Sequence, residues 1–151
     1  MANTISLHGV QEICSSEGWS SCPYLDSVKI PTIGYGSTYY ENGAKVTMQD
    51  PCITKDQGMA IMLHTLNKDF LPGIMKVLKV PVNQNQLDAI CSLVYNIGSG
   101  GFSASTVLKR INSKDTKESI SEAWSRWNKA GGKVVQGLVN RRNKEIALFF
   151  S

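Results

Sequence analysis

The stretch Glu17–Gly36, EGWSSCPYLDSVKIPTIGYG, holds one carboxylate at Glu17, a second at Asp26 and a threonine at Thr32. Around the latter two, Tyr24, Leu25, Val28, Ile30, Ile33 and Tyr35 are mixed with Ser27, Lys29, Pro31, Gly34 and Gly36. That composition predicts short strands joined by tight turns. Immediately upstream, Ser6 opens a helical pattern in which Leu7, Val10, Ile13 and Cys14 share one face. A helix over 7–17, closed by Gly18, would carry Glu17 on its last turn. A helix end lying against a small sheet would set the two acids across a cleft.

Paired acids of this kind suit glycoside hydrolysis, in which one protonates the leaving oxygen while the other attacks the sugar or activates a water. The proton donor has to stay neutral near neutral pH, which calls for partial desolvation. Trp19, two residues after Glu17, is a candidate for the apolar wall. Spacing by itself also fits an ordinary helix end followed by an ordinary turn, since most acidic residues are solvated.

Outward from that stretch, residues 19–53 read as a small antiparallel sheet with a longer loop around Glu41-Asn42-Gly43. Thr54 and Gln57 form a capping box, and Met59, Met62, Leu63, Leu66 and Phe70 recur at helical spacing behind it. Pro72-Gly73 is expected to interrupt or kink that helix near residue 71, before Ile74, Val77 and Leu78 resume the pattern. Asn83 with Gln86 starts a further helix through about Asn96, whose Leu87, Ile90, Cys91 and Val94 are spaced for burial. Tyr95 and Asn96 at its end sit beside a glycine-rich turn. They have the chemistry to stack on and hydrogen-bond a sugar, and packing is the other reading of Tyr95.

Ser103 or Ser105 is expected to cap a helix ending near Asn112, and residues 119–127 a short helix in which Trp124 and Trp127 pin the core. The last helix, about 137–150, turns Leu138, Ile146, Leu148 and Phe149 inward and leaves Arg141, Arg142 and Lys144 at or near the surface. Arg141 or Arg142 is placed to approach Glu17, where a cation would favour the ionised acid against the effect of burial.

The 151 residues suffice for one domain with a sizeable core, and 42% hydrophobic with 19% charged residues is the composition of a globular chain, not a disordered one. No run is long enough to cross a bilayer, and the start MANTISLHGVQEIC lacks a basic segment followed by an apolar one. The expectation is accumulation in the cytoplasm of the producing cell, with no stable membrane insertion. Residues 101–151 carry ten basic side chains against four acids, whereas 1–100 carry six against eight. Such asymmetry suits an anionic polymer, either nucleic acid or cell wall, or simply a solvated basic surface.

Four cysteines show neither CxxC pairing nor zinc spacing with the two histidines, so no metal is expected. Cys14 and Cys91 fall on apolar helix faces. Cys22 and Cys52 flank the sheet; reduced thiols are the expectation in a cytoplasm, with pairing open to them after export.

The order Glu17-Gly18, Tyr24-Leu25-Asp26, Pro31-Thr32-Ile33-Gly34-Tyr35-Gly36-Ser37 resembles the Glu, eight residues, Asp, five residues, Thr pattern of phage-type lysozymes, glycoside hydrolase family 24. Later blocks look similar too: Gln86-Leu87-Asp88-Ala89, Tyr95-Asn96-Ile97-Gly98, Gly101-Phe102, Arg126-Trp127, Ala130-Gly131-Gly132-Lys133 and Gly137 through Glu145. The likeness covers about residues 6–150. It implies an α+β, mostly α, two-lobed fold: a sheet lobe over about 12–53, a long linking helix over about 54–79, and a helical lobe over about 80–151 joined by the N-terminal helix.

The same resemblance implies Glu17 as general acid, Asp26 as second carboxylate and Thr32 as its partner in holding water. Tyr95, Asn96, Ser105 and Ser121 become candidate substrate contacts. Some relatives place a histidine after the second glycine, where this chain has Ser37. The implied activity is that of an endolysin cutting the β-1,4 bond between N-acetylmuramic acid and N-acetylglucosamine, monomeric, without cofactor or nucleic-acid partner, and reaching peptidoglycan through a holin-type lesion. A lytic transglycosylase, which needs one acid and no water, and a noncatalytic wall binder are the competing readings.

Overall fold

The structure, a computed structural model, describes residues 2–151. Helix α1 (Leu7–Cys14) begins where Ser6 accepts the amide of Gly9, and ends three residues short of the expected limit. The reason is local: Ser15 donates its hydroxyl to the Glu12 carbonyl at 2.6 Å, a bond that competes with helix continuation. The amides of Ser16 and Glu17 then turn back to the carbonyls of Ile13 and Cys14. Glu17 therefore sits in a tight turn just beyond the helix, not on its last turn.

Strands β1 (Ser20–Leu25) and β2 (Pro31–Gly34) form an antiparallel hairpin with Tyr24 opposite Thr32 and Leu25 opposite Pro31. The register is irregular between Ser20 and Tyr24, the span containing Pro23, which has no amide to give a ladder. The rest of the expected sheet is loop with two isolated bridges, Ile33 to Ser37 and Tyr39 to Lys45.

Cys22 and Cys52 are joined in a disulfide, which corrects the expectation of reduced thiols. It fastens β1 to the segment entering α2, alongside a 2.7 Å bond from the Ile53 amide to the Ser21 carbonyl. Trp19 closes the same corner, 4.8 Å from Tyr35 between ring centroids and directly against Gly58.

Helix α2 (Lys55–Thr65) starts at the Thr54–Gln57 capping box. The α-helical path is interrupted just before Pro72, as expected, but the chain does not leave the helix. A π turn over Leu66–Phe70, in which the Leu71 amide bonds the Leu66 carbonyl, leads directly into α3 (Leu71–Val77). The wider turn accommodates the proline ring and its missing donor without ending the helical path.

Helix α4 (Gln84–Ile97) begins at the expected Asn83–Gln86 box and is the most deeply buried, with Leu87, Ala89, Ile90, Cys91 and Leu93 fully covered. It lies between α1 and α8 (Gln136–Phe149). Short helix α5 (Ser99–Ser103) packs on it, and α6 (Thr106–Asn112) and α7 (Lys117–Ser125) continue the lobe from α5 to α8. Strands β3 (Lys129–Ala130) and β4 (Lys133–Val134) make a small second hairpin across Gly131 and Gly132, both at positive φ, which the sequence reading did not anticipate.

Asp88, on α4 and 1% exposed, fixes α1 to this core. Its Oδ1 accepts from the Ser6 amide and from Gln84, and its Oδ2 from the Ser6 hydroxyl. The helix leading to the Glu17 turn is thereby anchored at its start by a buried carboxylate from α4.

Candidate active site

Glu17 presents a carboxylate about one quarter exposed, with Oε1 accepting from Arg141 Nη1 at 3.0 Å. The two residues, with Asn96, Leu138, Asn140 and Lys144, line an open cleft of about 450 Å³ between the α1 exit and α8. The approach of an arginine to Glu17 is as expected, but Arg141 and Arg142 are not surface residues: they are 7% and 1% exposed. Leu138, Ile146 and Leu148 are only partly buried in exchange. The inward stripe of α8 is Leu138, Arg141, Arg142, Glu145 and Phe149, a helical spacing in which three of five positions are charged.

Those charges pair with one another, although the buried Arg142 Nε makes no well-aligned hydrogen bond. Glu145, 3% exposed, accepts from the Ser92 hydroxyl at 2.5 Å and from Trp124 Nε1 at 3.0 Å, and lies 2.8 Å from Arg142 Nε and 3.4 Å from Arg141 Nε. Arg142 also donates to Asn96 Oδ1 and to the Trp127 carbonyl. Trp124, fully buried against Phe149, thus pins the core as expected, through a hydrogen bond as well as its ring. Burial lowers the proton affinity of Arg142, with the Glu145 charge acting in opposition.

Asp26 follows β1 at the start of the turn. Its Oδ1 accepts from the amides of Val28 and Ile30 at 2.9 Å each, which holds the carboxylate in place while Lys29 takes a positive φ. Thr32, 3% exposed, donates its hydroxyl to the Ile30 carbonyl at 2.9 Å. Both side chains thus bond the backbone of Ile30, Asp26 at its amide and Thr32 at its carbonyl. Beside them the hairpin leaves Tyr24, Leu25, Val28 and Ile30 exposed.

Tyr95 lies between the two halves. Its phenol is pushed up to about 12, first by burial, then by the charges of Glu17 and Cys14, and it also senses Arg141 and Tyr24. Its hydroxyl is 4.0 Å from where a side chain on Gly36 would begin, and its ring packs on Phe70. Cys14, behind Glu17, is pushed up to about 11 by burial and by that same carboxylate. Asn96 is exposed in the cleft, with its amide oxygen held by Arg142.

Ser105 and Ser121 do not line the Glu17 cleft. Ser105 caps α6, accepting from Leu108 and donating to Phe102, at the edge of a separate cavity of about 330 Å³ with Arg126 and Trp127. Ser121 is half-buried on α7. Trp19, considered as a wall for Glu17, lies instead against Tyr35 and Gly58.

A mostly helical chain with a small sheet, a carboxylate in an open cleft and a second one on the adjoining hairpin define a lysozyme-type fold. The phage lysozyme family model matches residues 14–145, and the chain belongs to that family. It is 38% identical to the endolysin of Salmonella phage P22 over 97% of this chain and 98% of that protein. It is 44% identical to the endolysin of Bacillus phage PZA over 97% of this chain, but spans only 55% of the PZA protein. Among solved structures, a P22 lysozyme variant superposes with a TM-score of 0.87 at 37% identity over the whole of both chains. The muramidase domain of SpmX from Asticaccaulis excentricus does so with 0.82 at 28% identity, over 99% of each.

Proposed function

We infer that this chain is an endolysin that hydrolyses the β-1,4 bond between N-acetylmuramic acid and N-acetylglucosamine in peptidoglycan. The observation that carries the reading is the setting of Glu17: one oxygen is held by a buried guanidinium, and the other takes no hydrogen bond among the described residues and is left to the cleft. A carboxylic acid so placed can hand a proton to a bridging glycosidic oxygen, and leaving-group protonation is the step a glycosidase most needs.

Asp26 is the second carboxylate. Both backbone hydrogen bonds to Asp26 fall on Oδ1, leaving Oδ2 for a water or for the charge that develops on the sugar. With its proton given to Ile30, Thr32 offers lone pairs that accept from a water beside Asp26. The proposal favours inversion, with a gap of about 6.5–9.5 Å between the acids that admits water. Tyr95 and Asn96 are the proposed substrate contacts nearest the acid, with Ser105 and Ser121 further along the helical part.

The test is to incubate the protein with purified peptidoglycan and identify the new ends by mass spectrometry. Reducing N-acetylmuramic acid ends are expected. Anhydro ends would make the chain a lytic transglycosylase, and binding without new ends a noncatalytic wall protein. Glu17→Gln should abolish lysis of permeabilised cells while leaving sedimentation with purified walls intact. No described helix is long and apolar enough to cross a membrane. The proposed sequence of events is synthesis in the host cytoplasm as a monomer and access to the wall after a holin-type lesion. Lysis by the cloned gene alone, without permeabilisation, would overturn that part.

A further inference from the structure

Arg141 has all three guanidinium nitrogens engaged: Nη1 on Glu17, Nη2 on the Ser92 carbonyl at 3.3 Å, and Nε toward Glu145. Arg142 has its Nη2 3.2 Å from the same Glu145 carboxylate. Two buried cations thus share one buried anion, and Glu17 is the second anion of the set. The four side chains are electrically balanced only while Glu17 is ionised. When Glu17 carries a proton, the cluster holds one net positive charge in a poorly solvated place, and a bare guanidinium there opposes protonation.

Glu145 is the group that moderates this. Its two oxygens receive the Ser92 hydroxyl, the Trp124 indole and both guanidinium groups, so it can neither rotate away nor be replaced by water. We propose that Glu145 is a positioning residue for the reaction: it fixes Arg141 against Glu17 and offsets the charge of Arg142, so that Glu17 can hold the proton it must deliver. The assignment rests on the reading of Glu17 as proton donor. The other titratable groups around Glu17 are Cys14 from α1, Tyr95 from α4 and Lys144 from α8, and none of them is an anion that could substitute for Glu145 near neutral pH.

The experiment follows the Glu17 carboxyl carbon by NMR across pH, together with the alkaline limb of hydrolysis, in three variants. Glu145→Gln removes the buried anion and should move both midpoints down, because one negative charge near the guanidinium pair is lost. Arg142→Gln removes a cation and should move both up by a similar amount. Glu145→Asp keeps the charge and should keep the midpoint while lowering turnover, because the shorter side chain withdraws from Arg141.

Opposite displacements cannot arise from general loosening of the fold. If one of the glutamine variants does not fold, the direction seen in the other still decides. Midpoints that stay fixed, or move the same way in both, would overturn the proposal. Correct displacements by NMR with no hydrolysis by the wild-type protein would instead leave the charge coupling between Glu145 and Glu17 standing and sink the functional reading.

Discussion

Gly9→Ala isolates how the fold sets the position of Glu17. Gly9 is an interior residue of α1, and there alanine is ordinarily worth up to about 1 kcal/mol over glycine. Here the new methyl carbon would start 2.5 Å from Asp88 Cγ, 2.6 Å from its Oδ1 and 2.8 Å from its Cβ. Carbon atoms in comfortable contact are about 3.5–4.0 Å apart, so helix and carboxylate must separate by about 1 Å. Asp88 cannot retreat freely, because Ser6 holds it at 3.0 and 2.5 Å and Gln84 at 2.9 Å.

Weakening two hydrogen bonds to a buried charge costs about 3–5 kcal/mol, and the helix preference returns about 1, leaving a loss of about 2–4 kcal/mol. In urea, with a dependence of about 2 kcal/mol per molar, the midpoint should fall by about 1–2 M. Gly73→Ala, whose methyl would meet nothing within 4 Å, is the matched control inside α3 and should be neutral or stabilising. Gly9→Ala should also reduce turnover more than wall binding, since the displaced element is the one leading to Glu17. Equal or higher stability in Gly9→Ala would refute the claim that Asp88 and α1 meet without slack.

Three more outcomes follow from the same geometry. Opening the disulfide between Cys22 and Cys52, by reductant or by the double serine variant, releases a link across 30 residues and should cost about 3–4 kcal/mol, read as a lower melting temperature. Thr32→Ala should lower kcat on peptidoglycan by about 10- to 100-fold with little change in KM, and Thr32→Ser should recover most of it; an unchanged kcat would remove Thr32 from the reaction. Tyr95 and Tyr40 are both raised from 10.0 to about 12, chiefly by burial, so each stabilises the fold fully below pH 10 and ceases to do so as pH rises toward 12. An alkaline ultraviolet titration should therefore show late-ionising tyrosine, and Tyr95→Phe should remove part of that late step.

Much of the fold was legible because local chemistry and global placement agree. Ser6, Thr54 and Asn83 each cap the helix that their side chains announce, and the apolar spacing of 87–94 marks the buried helix correctly. Pro72 marked the interruption near residue 71, but its form, a π turn one step earlier, is something no propensity reveals. Burial of Arg141 and Arg142 was missed because charged residues are normally read as solvated. The signal available was the gap they leave in the apolar stripe between Leu138 and Phe149, filled at 141, 142 and 145. The disulfide was open in the sequence, since two cysteines 30 residues apart declare nothing about distance until β1 and the entry to α2 are laid side by side.

The sequence alone determined the helix starts, the hairpin that carries Asp26 and Thr32, and the family resemblance, because each depends on residues that are near neighbours along the chain. Tertiary structure decided what surrounds Glu17: an arginine 124 positions away, a tyrosine from α4, and behind them a buried acid shared by two guanidinium groups. Electrostatic energy depends on separation in space and on exclusion of water, and the order of residues specifies neither until the chain has closed around them.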